Sequence, residues 1–113
     1  MQHATELIPS LWLSNSAMSA DFYTNKEISI AINCGKQEFV NVQIVKKRVQ
    51  NIDKFHLKHI VKYIHEQLGH GKSILVYSDD MHKSMVIVCA YLANYGGMPY
   101  DEVQALVMTK ICQ

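Results

Sequence analysis

A chain of 113 residues, 49% hydrophobic and 19% charged, is long enough for one domain with a modest core. Its formal charge of +1 removes the electrostatic case for nucleic acid or an acidic membrane surface as partner. No apolar stretch reaches spanning length and the opening "MQHATELIPS" lacks a signal-peptide core, so the expected setting is intracellular, in cytoplasm or nucleus. Cys34, Cys89 and Cys112 are odd in number and lack metal-site spacing, which fits reduced thiols. Cys34 and Cys89 sit in apolar runs, as small core residues do.

With no repeat, low-complexity segment or Pro/Gly-rich linker, residues 1–113 are expected to form one domain. Residues 11–13, after Pro9, are a short strand candidate, and 16–25 a short helix. "ISIAIN" at 28–33 reads as a buried strand ending at Cys34-Gly35. "FVNVQIV" at 39–45 alternates, with Val40, Val42 and Ile44 on one side, the pattern of a half-buried strand. The Lys46-Lys47-Arg48 run that follows reads as a solvated loop.

Residues 52–68 carry the clearest helical signal: Leu57, Ile60, Val61, Ile64 and Leu68 form one stripe, and Lys54, Lys58, Lys62 and Glu66 fall away from it. Asn51 or Asp53 caps its start, and Gly69 closes it in the left-handed conformation. "ILV" at 74–76 is a short apolar strand. A helix over 83–95, apolar on nearly every side and closed by Gly96-Gly97, is expected at the centre of the core. A last helix over 99–111 has Pro99 in its first turn and Asp101 and Glu102 near its positive end, with Val103, Leu106, Val107 and Ile111 inward. Strands interleaved with helices define an α/β domain, whose ligand crevice lies at the C-terminal strand ends, where residues 78–84 fall.

In order and spacing these segments resemble the dual-specificity branch of the protein tyrosine phosphatases over most of the chain. "LIPSLWLSNSAMSAD" is similar to that family's opening strand and first helix, "ISIAINCGKQ" to its next strand, and "FVNVQIV" to the strand before its acid loop. "ILVYSDDMHKSMVIVCAYLANYGGMPYDEVQALV" is similar to its signature strand, loop and two following helices. The resemblance implies a single-domain protein tyrosine phosphatase-like fold, with a central, mainly parallel sheet of four to five strands flanked by helices. The family continues past the helix ending near Ile111 into a further helix. A C-terminally shortened fold with apolar surface uncovered near residues 99–113 is therefore expected.

The family's loop reads H-C-x-x-G-x-S-R. Laid onto this chain, Tyr77 falls at the histidine, Ser78 at the nucleophilic cysteine, Met81 at the glycine, Lys83 at the serine and Ser84 at the arginine. Asp79, Asp80 and His82 fill the positions between. The family's acid falls at about Lys46; Asp53, the nearest downstream carboxylate, belongs to a helix start. The roles implied are attack by a thiolate on phosphorus, capture of the phosphoryl oxygens by arginine and loop amides, and protonation of the leaving group. A serine has no low-pKa thiolate, and Ser84 has no bidentate fork. Asp79 and Asp80 place negative charge where a phosphate would bind and can satisfy the helix N–H groups from within. Met81 opposes the backbone angles and close approach that glycine allows. The expectation is a natural pseudophosphatase with no catalytic residue.

Plainer roles are expected for the other polar groups. Asp79, Asp80 and His82 are expected as solvated capping residues and not as a metal site. His56 and His59, one turn apart without a third ligand, are expected on an exposed helix flank, and Trp12 and Tyr23 in the core. Ser78 has no visible triad for another hydrolase chemistry, and Lys83 is a weak anion contact at best. The expected activity is protein binding, as competitor, scaffold or structural subunit, without metal or cofactor and with a homodimer among the forms it takes. One alternative is a phosphate- or phosphoprotein-reading domain without catalysis. Another is a divergent phosphatase for phosphopeptide, phosphoinositide or RNA 5′-triphosphate. A small degenerate copy of this kind would suit a large DNA virus.

Overall fold

The computed structural model describes residues 4–112. Five strands, β1 (Ala4–Ile8), β2 (Leu11–Ser14), β3 (Ile30–Asn33), β4 (Val45–Arg48) and β5 (Ile74–Tyr77), form one sheet in the order β1-β2-β5-β3-β4. Only β1 runs antiparallel to its neighbour; the other pairings are parallel. Helices α1 (Ala20–Asn25), α2 (Lys54–Gly69), α3 (His82–Gly96) and α4 (Tyr100–Ile111) complete the fold.

Alternation along the central strands assigns the two faces of the sheet. Leu11 and Leu13, Ile30 and Ile32, and Ile74 and Val76 join Leu7 on one face. There they meet Ile60, Val61 and Ile64 of α2, Ile87, Val88, Cys89 and Tyr91 of α3, and Val103 and Val107 of α4. Ala31, Leu75 and Tyr77 point to the other face, which Tyr23 of α1, Ile28 and the half-buried Phe39, Val40, Val42 and Ile44 cover. Cover on both sides explains why β3 and β5 are apolar at nearly every position. Every residue of both is buried.

The structure moves several boundaries. Residues 39–44 form no strand: the Val42 N–H donates to the Val40 carbonyl at 2.9 Å and the Ile44 N–H to the Val42 carbonyl at 3.1 Å. These tight turns keep Val40, Val42 and Ile44 on one side, so the alternation reports sidedness without a ladder. The neighbouring strand is β4, built from the cationic run expected as a loop. It pairs with β3 on one side and stands at the sheet edge, where lysine discourages stray strand pairing.

The first helix begins at Ala20 and not at residue 16. Residues before it are held in a turn, with the Ser16 N–H donating to Ser14 Oγ at 3.0 Å and the Ala17 N–H to Gln37 Oε1 at 2.9 Å. The Tyr23 hydroxyl donates to the Ala17 carbonyl, fixing α1 to that turn. Asp53 caps α2, accepting from the His56 N–H at 2.9 Å. Gly69 lies inside that helix, and the left-handed residue is Gly71, at φ 78°. Gly97, at φ 71°, closes α3 as expected. On α4 Val103 and Val107, one turn apart, take the buried line, while Leu106 turns outward at 53% exposure. Tyr23 is core; Trp12 is half-buried, edge-on to Phe22 and under Lys26.

Candidate functional site: a strand–loop–helix with serine at its base

The site lies where β5 stops. The Cys34 N–H donates to the Tyr77 carbonyl at 2.8 Å, which brings the ends of β3 and β5 together. Ser78 is the first residue past β5 and is 1% exposed; Ser84, in the first turn of α3, is fully buried. Their hydroxyl oxygens are 2.9 Å apart. Ser84 Oγ also donates to the Met81 carbonyl at 3.2 Å, and the Ser84 N–H donates to Ser78 Oγ at 3.2 Å. One proton per hydroxyl then fixes the direction of the circuit: Ser78 donates to Ser84, and Ser84 donates to Met81.

The loop still turns as a phosphate loop must. Met81 precedes α3 at φ 65°, in the left-handed region, where a side chain costs about 1–2 kcal/mol. The side chain opposes this conformation without preventing it, and the Met81 carbonyl accepts from the Met85 N–H at 3.0 Å. Asp80 accepts from the His82 N–H at 2.9 Å, so a carboxylate of the loop itself occupies a donor that an anion would use. Asp79 packs against Gly35; a Cβ on that glycine would collide with the Asp79 carboxylate and stand 3.0 Å from its backbone nitrogen.

Cys34, Gly35, Lys36, Arg48, Gln50, Asp79, Asp80 and Lys83 line a cleft of about 650 Å³ beside the loop. Lys46 is not among them; it lies within β4, which runs to Arg48, so Arg48 and Gln50 form the rim instead. Sequence reasoning missed Arg48, Cys34 and Gln50 at this site, and the cationic end of an edge strand was the signal available. Two of the three cations are already engaged. Arg48 donates to the Gly35 carbonyl at 2.9 Å and the Gln37 carbonyl at 3.2 Å and lies over the Phe39 ring. Lys83 donates to the Gln50 carbonyl at 3.0 Å.

Burial pushes the Cys34 thiol up to about 12, against a smaller opposing pull from Lys83, so it stays protonated near neutrality. Burial likewise pushes the Tyr77 hydroxyl up to about 12, and that hydroxyl has no hydrogen-bond partner among the described residues. His56 pairs with Asp53 at 2.9 Å and His59 makes a tilted ring contact with Phe55, both on the exposed flank of α2. Among the described residues no group of three His, Cys, Asp or Glu side chains is placed to hold a metal ion. Nor is any described helix long and apolar enough to cross a membrane.

This mainly parallel sheet, with β5 feeding a loop into the N-terminus of α3, has the fold of dual-specificity phosphatases of the protein tyrosine phosphatase type. Solved structures bear this out. Human DUSP28 superimposes with a TM-score of 0.83 at 19% identity, covering 95% of this chain and 80% of that one. DUSP15 gives 0.82 at 26% identity over 94% and 75% of the two chains. The human tyrosine phosphatase-like serine/threonine/tyrosine-interacting protein gives 0.80 at 22% identity over 95% and 83%. No protein-family model and no curated protein sequence matches the chain.

Proposed function

We propose that this domain is a pseudophosphatase: a dual-specificity-phosphatase-like fold that performs no phosphoryl transfer and acts by binding protein, as competitor, scaffold or structural subunit. The observation that carries the reading is the Ser78–Ser84 circuit. The group at the nucleophile position is a buried hydroxyl whose oxygen accepts a helix N–H, and the group at the arginine position is its hydrogen-bond partner. Among the described residues the Ser78 hydroxyl is hydrogen-bonded to Ser84 alone, with neither a base to activate it nor a guanidinium bonded to it. The test is hydrolysis of an aryl phosphate by the wild type and by Ser78→Ala. The reading expects no turnover by either. Turnover that Ser78→Ala abolishes overturns it.

Lys36, Arg48 and Lys83 on the cleft favour one second reading, a phosphate-reading domain without chemistry. Against it stand Asp79 and Asp80 on the same cleft and the backbone carbonyls that already hold Arg48 and Lys83. Crystals grown in sulfate separate the two. A sulfate bonded to several amides of residues 79–84 favours the reader; a loop filled by its own Asp80 favours the inert site.

A further inference from the structure

Charge is segregated along this chain far more sharply than its net value suggests. Residues 45–69 hold six of the eleven cations, Lys46, Lys47, Arg48, Lys54, Lys58 and Lys62, but only two of the ten acids, Asp53 and Glu66. That stretch therefore carries +4, and the rest of the chain −3. It consists of β4, the turn after it and α2, which together enclose a groove of about 780 Å³.

The groove pairs this charge with aromatic surface and with unused backbone. Lys47 reaches over the Tyr63 ring at 4.7 Å, and Phe55, 67% exposed, meets His59 in a tilted contact at 4.5 Å between ring centres. Lys62 adds a cation to the same wall, and Glu66 is its one carboxylate. The other wall is β4. The Val45 N–H bonds to the Ser29 carbonyl at 3.0 Å and the Val49 N–H to the Asn33 carbonyl at 2.9 Å, so these donors face β3. Strand alternation then turns the N–H and C=O of Lys46 and Arg48 outward. Among the described residues no strand pairs with that outer edge.

We infer that this groove binds an acidic, extended peptide segment of a partner protein, which adds a strand to the outer edge of β4 and sets alternate side chains against α2. The inference rests on the protein-binding reading above and assigns that reading its surface. Backbone pairing to Lys46 and Arg48 supplies affinity, and the aromatic wall takes the apolar side chains. Acidic side chains meet the +4 stretch, which speeds encounter and rejects basic segments. A single-stranded nucleic acid would meet the charge and the rings but has no backbone to continue the sheet.

The probe is a fluorescein-labelled peptide alternating glutamate with valine and phenylalanine, read by anisotropy against its lysine counterpart and a labelled oligouridine. The glutamate peptide binds, and binding weakens severalfold between about 50 and about 300 mM salt. The double variant Lys47→Glu, Lys62→Glu weakens it by about tenfold or more. Lys46→Pro removes one outward N–H while leaving the β3 side intact, and weakens binding well beyond Lys46→Ala. Hydrogen exchange of the wild-type complex slows at the Lys46 and Arg48 amides. Equal binding of the lysine peptide, insensitivity to the double charge reversal, or unchanged exchange at both amides overturns the inference, as does preference for the oligouridine. Aryl phosphate hydrolysis measured on the same protein keeps the two readings apart. Turnover removes the pseudophosphatase whatever the peptide does, and a silent enzyme that ignores the peptide removes only the groove.

Discussion

Truncating Ser78 to alanine separates a structural serine from a catalytic one. Its hydroxyl accepts the Ser84 N–H and donates to Ser84 Oγ, at 3.2 and 2.9 Å, in a place with 1% exposure. Alanine removes both bonds and leaves the Ser84 N–H buried without an acceptor, a loss of about 1–3 kcal/mol. Ser84 keeps its bond to the Met81 carbonyl, so the damage stays near the middle of that range, about 2 kcal/mol. Unfolding entropy of about 2.1 cal/mol/K per residue over 113 residues is about 0.24 kcal/mol/K, which converts the loss into a fall of about 8 °C in melting temperature. Ser84→Ala strands the Ser78 O–H, but a hydroxyl proton can rotate towards another acceptor where a helix N–H cannot, so it costs less. Thermal melts by circular dichroism rank the variants as wild type, Ser84→Ala, Ser78→Ala. A Ser78→Ala melt within about 2 °C of wild type, or a reversed order of the two variants, refutes the hydroxyl circuit.

Ser78→Cys alone leaves aryl phosphate hydrolysis undetectable, because the guanidinium and the leaving-group acid are still missing and each supplies a few kcal/mol of transition-state stabilisation; measurable turnover would show that the loop positions are misassigned. Burial holds the Cys34 thiol up to about 12 and the Cys89 thiol up to about 11, so both protons favour the fold below the unfolded value and that stability drains away as pH rises through the folded ones. Melting temperature therefore drops from about pH 9 upward and Cys34→Ala flattens the drop, whereas a level profile to about pH 10.5 refutes the burial of these thiols. Leu106 at 53% and Met108 at 45% exposure give α4 an apolar outer face, and light scattering across a dilution series is expected to show self-association that Leu106→Glu relieves. A monomer at every concentration removes that role for the face.

Helices were legible wherever one stripe met one core. The 52–68 pattern predicts α2 because Ile60, Val61 and Ile64 face the same strands, and Asp53 caps it by short-range chemistry alone. Strands were legible where apolar residues ran together, in β3 and β5, buried on both sides, and in β2, foreseen at 11–13. β4 escaped because its side chains are all exposed and three of the four are cationic; its strand character comes from pairing with β3, which the local sequence does not encode. β1 escaped for a similar reason, its short run "ATELI" being held by the antiparallel ladder to β2. At the site, position along the chain put Ser78, Asp79, Asp80 and Ser84 between the end of β5 and the first turn of α3, where the structure has them. It missed Arg48 and Cys34, which other strand ends bring to the loop. The acid position at Lys46 went astray with the boundary of β4.

The loop explains how this fold keeps its shape without a phosphate to hold it. A helix N-terminus presents N–H groups that an anion satisfies in an enzyme of this fold, and an empty cradle would leave them unpaired. Here the Ser84 N–H is taken by Ser78 and the His82 N–H by Asp80, both from the loop itself. Lys83 and Arg48, two of the three cations on the cleft, hold carbonyls of residues 35, 37 and 50. Those bonds tie the ends of β3, β4 and β5 and the start of α3 into one unit that an incoming anion would have to break. Such a loop is a clasp. On the pseudophosphatase reading its shape rests on bonds within the chain, and the charged flank of β4 and α2 is the surface proposed for a partner.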